Sequence, residues 1–177
     1  IEGSHHRHIA QKFNDLATGK INRLIVNMPP RHTKSEFASY LLPAWMVGRE
    51  PRLKIIQATH TGELAGRFGR EAKNLIDSED YAKIFKTTLQ EDSKAAGRWE
   101  TAQGGEYFAA GVGGAITGRG ADLLIIDDPH SEQDALSPNA MESAYEWYTS
   151  GPRQRLQPGG KIVLVMTRWS NKDLTGK

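Results

Sequence analysis

An α/β domain built on a mostly parallel sheet is predicted by three features of the chain. Short apolar runs alternate with longer amphipathic stretches, most of the runs are apolar on successive residues, and no linker divides them. A parallel strand is buried on both faces and so reads as a continuous apolar run, whereas a surface hairpin alternates apolar with polar. Strands separated by helices then pack as a sheet with helices on its faces.

Taken in order, a helix over Ile9–Leu16 precedes a first strand, Arg23–Asn27, and a helix over Lys34–Leu42 follows it. The strand Leu53–Thr59 leads to a helix ending at Ile76, with Leu64, Phe68 and Leu75 on one side and Thr61 as N-cap. Gly104–Gly120 reads as loop, interrupted by a short strand at Glu106–Ala110 centred on Tyr107-Phe108. Two more strands, Asp122–Asp127 and Lys161–Met166, enclose a helix that Ser137-Pro138 starts and Gly151-Pro152 stops.

Composition bounds the function. The 177 residues suit one domain with a real core. A formal net charge of +2 is too small to announce a nucleic-acid binder, so any DNA contact needs a local basic face or repetition around an oligomer. With no cysteine, neither a disulfide nor a Cys-ligated zinc holds the fold. The longest apolar run, Leu123 to Ile126, is far below the roughly 20 residues of a membrane span. The chain begins mid-pattern and stops at Gly176-Lys177 just after a strand, which predicts an excised domain.

The sharpest motif is Met28-Pro29-Pro30-Arg31-His32-Thr33-Lys34-Ser35, directly between a strand and a helix. A Walker A loop needs backbone N–H groups curled around an anion, a lysine for the β- and γ-phosphates and a hydroxyl for Mg²⁺. Lys34 and Ser35 supply the last two. The loop glycines of G-x-x-x-x-G-K-[ST] would fall at Met28 and Thr33, and Pro29 and Pro30 donate no N–H. The cradle is therefore expected from Arg31, His32, Thr33, Lys34 and Ser35. The competing reading is a Pro-Pro turn ahead of a helix whose Lys and Ser are solvated.

A second motif, Leu123-Leu124-Ile125-Ile126-Asp127-Asp128-Pro129, describes a buried strand carrying two carboxylates to the C-terminal edge of the sheet. Open α/β sheets bind ligands at that edge. Asp127 is the expected Mg²⁺ residue, acting through water, and Asp128 the acid that orients the attacking water. Glu132 is the alternative acid, and a plain strand-end cap before Pro129 is the alternative to both roles. Loop first and acidic strand later in one α/β unit resemble the additional-strand, RecA-like P-loop NTPases. At the tip of the strand Lys161–Met166, the Thr167 hydroxyl is placed to sense the γ-phosphate and couple hydrolysis to motion, the alternative being a strand-end cap.

As an ordered set, further features resemble the N-terminal ATPase domain of the terminase large subunit of tailed bacteriophages. They are His5-His6 with a helix, the Pro29 to Ser35 loop, Pro43-Ala44-Trp45 with Gly48, and Gly111-Val112-Gly113-Gly114. Thr117-Gly118-Arg119-Gly120, Asp127-Asp128-Pro129, Thr167-Arg168-Trp169 and Asp173-Leu174 complete the set, which runs through nearly the whole chain. The resemblance implies an Mg²⁺-dependent ATPase that drives double-stranded DNA into a viral procapsid through the portal protein. It further implies a small terminase subunit as partner, a homo-oligomeric ring when active with a monomer in isolation, and a nuclease domain C-terminal to this one. Its place is then the host cytoplasm, at the portal, with no membrane association. Lys34 and Ser35 match the Walker A positions, Asp127 and Asp128 the Walker B and catalytic-acid positions, and Thr167 the coupling position. Thr33 stands where many relatives carry glycine, and Asp128 where many carry glutamate.

Two arginines are candidate fingers for transition-state charge: Arg31 within the loop, acting in cis, and Arg119 between Gly118 and Gly120, reaching a neighbouring subunit. Gln11 is the candidate reader of an adenine edge. The His5, His6 and His8 segment packs near the adenine or is solvated. Two other functions fit the same residues. One is a helicase or restriction-type translocase lobe, marked by a second RecA-like lobe. The other is a nucleotide-binding switch or scaffold that hydrolyses little.

Overall fold

The computed structural model describes residues 3–116 and 118–177, with Lys94 described by its backbone alone. Helix α1 (Ser4–Ala17) leads into β1 (Arg23–Asn27), a π-helical stretch (Glu36–Leu41) and α2 (Leu42–Arg49). Then follow β2 (Lys54–Thr59), α3 (Gly62–Ile76), the one-turn α4 (Glu79–Ala82), β3 (Leu89–Ala95), β4 (Arg98–Thr101) and β5 (Glu106–Gly111). The chain closes with β6 (Ala121–Asp127), α5 (Pro138–Ser150) and β7 (Leu156–Met166). Thr117, part of the glycine-arginine stretch, lies outside the described residues.

All seven strands form one sheet in the order β1-β7-β6-β2-β5-β4-β3. The five expected strands, β1, β7, β6, β2 and β5, are mutually parallel, and β4 and β3 continue the sheet antiparallel. Strand β6 shows why continuous apolar runs signal such a sheet. Leu123 and Ile125 face a core shared with Phe13, Leu42 and Val47, while Leu124 and Ile126 face one shared with Ile162, Leu164 and Met166 of β7. The Thr61 and Ser137 hydroxyls accept from the N–H groups of Leu64 and Ala140, as N-caps do. Among the described residues no helix is long and apolar enough to cross a membrane.

Three differences from the sequence expectation have physical causes. The hairpin of β3 and β4 is not announced by the sequence because its strands, the edge strand Leu-Gln-Glu-Asp-Ser-Lys-Ala and its short neighbour Arg-Trp-Glu-Thr, are largely polar, with little apolar run to read. The helix expected to end at Leu42 runs on to Arg49 through Pro43. Just before the proline the ladder shifts to longer-period bonds, Leu42 N–H reaching the Phe37 carbonyl, and Pro43 falls in the first turn of α2, where a missing N–H costs little. Strand β7 starts at Leu156 rather than Lys161, its polar beginning pairing with Ala121 across an irregularity in register.

Helix α3 lies close on the sheet at Gly69. The Trp99 ring, fully buried and stacked on Tyr107 at 4.7 Å, donates its Nε1–H to the Gly69 carbonyl at 3.0 Å. A Cβ on Gly69 would meet the Ala96 carbonyl and come within 2.7 Å of the Tyr107 ring. Gly69→Ala is expected to lower stability by about 1–2 kcal/mol, overpacking outweighing the roughly 1 kcal/mol that alanine contributes to a helix. Urea unfolding followed by circular dichroism checks this; an unchanged or higher midpoint would contradict the close approach.

Candidate functional site

Because β7 lies between β1 and β6, the chain leaves three neighbouring parallel strands at one edge. Asn27 pairs with Met166, and Asp127 with Val165, so the exits of β1, β7 and β6 are level. The turn after β1 begins by prolonging the ladder, Met28 N–H donating to the Met166 carbonyl at 3.2 Å. Beyond the two prolines the backbone turns through left-handed conformations at Arg31 (φ 63°) and Thr33 (φ 62°). Thr33 thus adopts the conformation a glycine takes freely, which a β-branched residue adopts only under strain.

Side chains hold that turn. The His32 Nδ1–H donates to the Pro30 carbonyl at 2.8 Å, and the Thr33 hydroxyl donates to the His32 carbonyl at 2.6 Å. Having spent its one proton, Thr33 Oγ1 accepts from His6 Nε2 at 2.8 Å, while His6 Nδ1 accepts from the Gly3 N–H at 3.0 Å. His6 also stacks on Phe37 with centroids 5.1 Å apart. The start of α1 therefore braces the loop.

A helical turn opens at Lys34, its first bond running from Phe37 N–H to the Thr33 carbonyl. The N–H groups before it have no partner within a helix, and the helix dipole adds positive potential there. A cavity of about 290 Å³, lined by Arg31, Thr33, Lys34, Ser35 and Glu36, opens over this end.

The acidic side faces it. Asp127 is buried at the end of β6 and accepts from Ser35 Oγ at 3.1 Å and from Ser39 Oγ at 2.6 Å. Burial pushes its carboxyl up to about 6 against the pull of the Ser39 hydroxyl, and the charge of Asp128 adds to the rise. Asp128, itself left-handed at φ 41°, places Oδ2 2.7 Å from Lys34 Nζ and accepts the Thr167 N–H on Oδ1 at 2.9 Å. The Thr167 hydroxyl donates to the Met28 carbonyl at 3.2 Å, so one residue bridges the acidic turn and the root of the loop.

The fold brings together His32, Thr33, Lys34, Ser35, Asp127, Asp128 and Thr167, with Arg31 on the cavity rim. Glu132 is exposed on the loop beyond β6. Gln11 lies on α1 about 140° around the helix from His6 and donates its amide to Asp15 at 3.2 Å. Arg119 sits at the other end of the sheet, just before β6. It pairs with Glu106 at 3.3 Å and lies over the Phe108 ring at 4.3 Å. Sequence reasoning missed Ser39 and Gln57, fully buried polar residues whose signal is position: a serine four residues after Ser35, and a glutamine inside an apolar strand.

The strain at Thr33 gives a test. Thr33→Gly removes the left-handed cost of a β-branched residue, of order 1–3 kcal/mol, but also the His6 contact. Thermal stability is therefore expected to change by less than about 1 kcal/mol. A Thr33→Val variant, which keeps the branch and loses the hydroxyl, should be destabilised by more. Equal stability of the two variants would remove the argument.

Neither a family model nor a curated protein matches this chain in sequence. Among solved structures it is similar to the crystal structure of the HK97 bacteriophage large terminase, with a TM-score of 0.54 and 16% sequence identity. The match covers 94% of this chain and 34% of that one, so the chain spans about a third of the length of the protein it resembles. At that identity the likeness is one of fold: a mixed α/β, terminase-like architecture with a mostly parallel sheet.

Proposed function

We propose that this chain is the ATP-hydrolysing motor domain of a large terminase, which drives double-stranded DNA into a viral procapsid. The observation that carries the reading is the meeting of Lys34, Ser35, Asp127, Asp128 and Thr167 at one edge of a terminase-like sheet. A solvated lysine and a strand-end cap would not converge in this way.

ATP is the substrate in this reading. The N–H groups of Arg31 to Ser35 and the Lys34 ammonium bind its phosphates. Ser35 and Asp127 fit Mg²⁺, since one hydroxyl and one carboxylate are the share a protein contributes when waters and phosphate oxygens complete the shell. When bound, Mg²⁺ supplies charge that neutralises the β- and γ-phosphate oxygens. Asp128 orients the attacking water once Lys34 has left it for the phosphates, because a carboxylate paired at 2.7 Å with an ammonium is a poor acceptor for water. Thr167, bonded to both the Asp128 turn and Met28, passes the change at the acid to the loop. Arg31 serves its own site, and Arg119 that of a neighbouring copy.

The rest of the proposal concerns the longer protein of which such a domain is about a third. It comprises a ring of copies at the portal protein in the host cytoplasm, a small terminase subunit, and a nuclease domain following this one. A second reading is favoured by the Lys34–Asp128 pair itself. If nucleotide binding leaves that pair intact, the domain is a switch that holds ATP and scarcely hydrolyses it.

Single-turnover hydrolysis of Mg-ATP by the purified protein separates the two. Asp128→Asn is expected to slow hydrolysis by about 10²–10⁴-fold while nucleotide affinity stays within a few-fold. Lys34→Ala is expected to lose both. Wild-type hydrolysis no faster than that of Asp128→Asn, with binding intact and with the copies assembled so that Arg119 reaches its neighbour, would establish the switch. Absence of nucleotide binding to the folded wild type would end both readings.

A further inference from the structure

Asp127 is held from behind by two residues that the phosphate-site motifs do not contain. Ser39 lies four residues after Ser35, on the same face of the helical turn, and is wholly buried. Its hydroxyl is 2.6 Å from Asp127 Oδ2, whereas Ser35 is 3.1 Å from Oδ1. Gln57, also wholly buried, in the middle of β2, donates its amide N–H to Ser39 Oγ at 2.8 Å. A hydroxyl that accepts from an amide must give its own proton elsewhere, and the carboxylate is the acceptor within reach. The order of donation therefore runs from Gln57 to Ser39 to Asp127. Turning the Gln57 amide over would leave Ser39 with one proton and two acceptors.

The two carboxylate oxygens are thereby made unequal. Oδ2 is committed to the buried Ser39 hydroxyl. Oδ1 stays on the side of Ser35, one of the residues that line the cavity. A carboxylate with one oxygen committed offers a cation a single oxygen or a water-mediated contact. Mg²⁺ accepts that arrangement, since its shell is octahedral and retains waters. Ca²⁺ is larger, with a flexible shell of 6–8 oxygens, and commonly takes a carboxylate through both of its oxygens.

We infer that Ser39, oriented by Gln57, is a positioning residue that presents Asp127 through one oxygen and so sets the preference of the site for Mg²⁺ over Ca²⁺. The inference rests on the nucleotide-site reading above and adds to it the residues that select the cation. Ser39 acts through Asp127 rather than by touching substrate. Outer donors of this kind orient the groups that meet a metal, and their loss typically lowers metal affinity about 10–100-fold.

The test is equilibrium binding of a fluorescent N-methylanthraniloyl ATP to the folded protein, titrated with Mg²⁺ and separately with Ca²⁺. For Ser39→Ala the half-saturating Mg²⁺ concentration is expected to rise about 10-fold, with a smaller change or a fall for Ca²⁺, so that the Mg²⁺/Ca²⁺ preference narrows. Ser39→Thr, which keeps the hydroxyl, is expected to restore most of the preference. Gln57→Met, which keeps the bulk and loses the amide, is expected to show the Ser39→Ala behaviour more weakly. Circular dichroism melting confirms that each variant compared is folded, and Gln57→Met carries the test if Ser39→Ala is not. Unchanged preference in the folded variants, or an equal loss for both cations and for metal-free nucleotide, overturns the inference. A wild type that binds no nucleotide with either cation overturns the functional reading instead.

Discussion

A lysine ammonium and a carboxylate can share the dry end of a parallel sheet only if they and their neighbours compensate one another. Lys34 is 6% exposed and Asp127 1% exposed, and an isolated charge at such burial costs several kcal/mol. The Lys34–Asp128 contact at 2.7 Å answers the ammonium, and two hydroxyls answer Asp127. This requirement orders the rest of the site. Strand β7 has to lie between β1 and β6 to level their exits, and Thr167 has to follow it to hold the second carboxyl oxygen of Asp128.

The same end of the sheet concentrates backbone strain. Arg31, Thr33 and Asp128 are the non-glycine residues with positive φ among those described, and all three border the cavity or its acids. Each such conformation costs on the order of 1–3 kcal/mol and persists only where its surroundings over-determine it. Here the determinants are specific: His6 and the His32 carbonyl for Thr33, and Lys34 with the Thr167 N–H for Asp128. In the proposed nucleotide-bound state, a ligand that draws Lys34 away removes one of three bonds that hold Asp128, leaving those to the Thr167 N–H and the Val165 carbonyl. The loop and the end of β6 are joined by the Lys34–Asp128 pair, by the Ser35–Asp127 bond and through Thr167, so the two ends of the site are mechanically connected.

Much of this is legible in the residues. Runs such as Leu123–Ile126 announce strands buried on both faces, and a lysine-serine pair after one strand with twin aspartates after another announces a ligand edge. What stays hidden depends on three-dimensional neighbours. The β3–β4 hairpin lies at the sheet edge, where polar residues face water and no apolar run forms. Ser39 and Gln57 come from different elements and meet only because the helical turn after the loop lies across β2 and β6. Thr33 reads as a departure from a loop glycine, yet the backbone there keeps the glycine conformation, so the substitution changes side-chain contacts rather than the path of the loop.

Arg119 shows how position limits a role that sequence alone leaves open. Its guanidinium lies against Glu106 and Phe108, beside the first half of β5, at the opposite end of the sheet from Lys34 and Asp127. No side chain spans that sheet, so a contribution from Arg119 to its own site is sterically closed; what remains is a structural role through Glu106 and Phe108, or the role proposed for it in trans. The Arg119 side chain is 20% exposed, so its pair with Glu106 and its place over Phe108 are partly buried contacts. Glu106 also pairs with Lys54 at 3.3 Å, so it would keep a cationic partner if Arg119 departed. In the proposed trans role, a triphosphate on an adjacent copy has to draw Arg119 from both Glu106 and Phe108. The glycines on either side of Arg119 let the backbone follow.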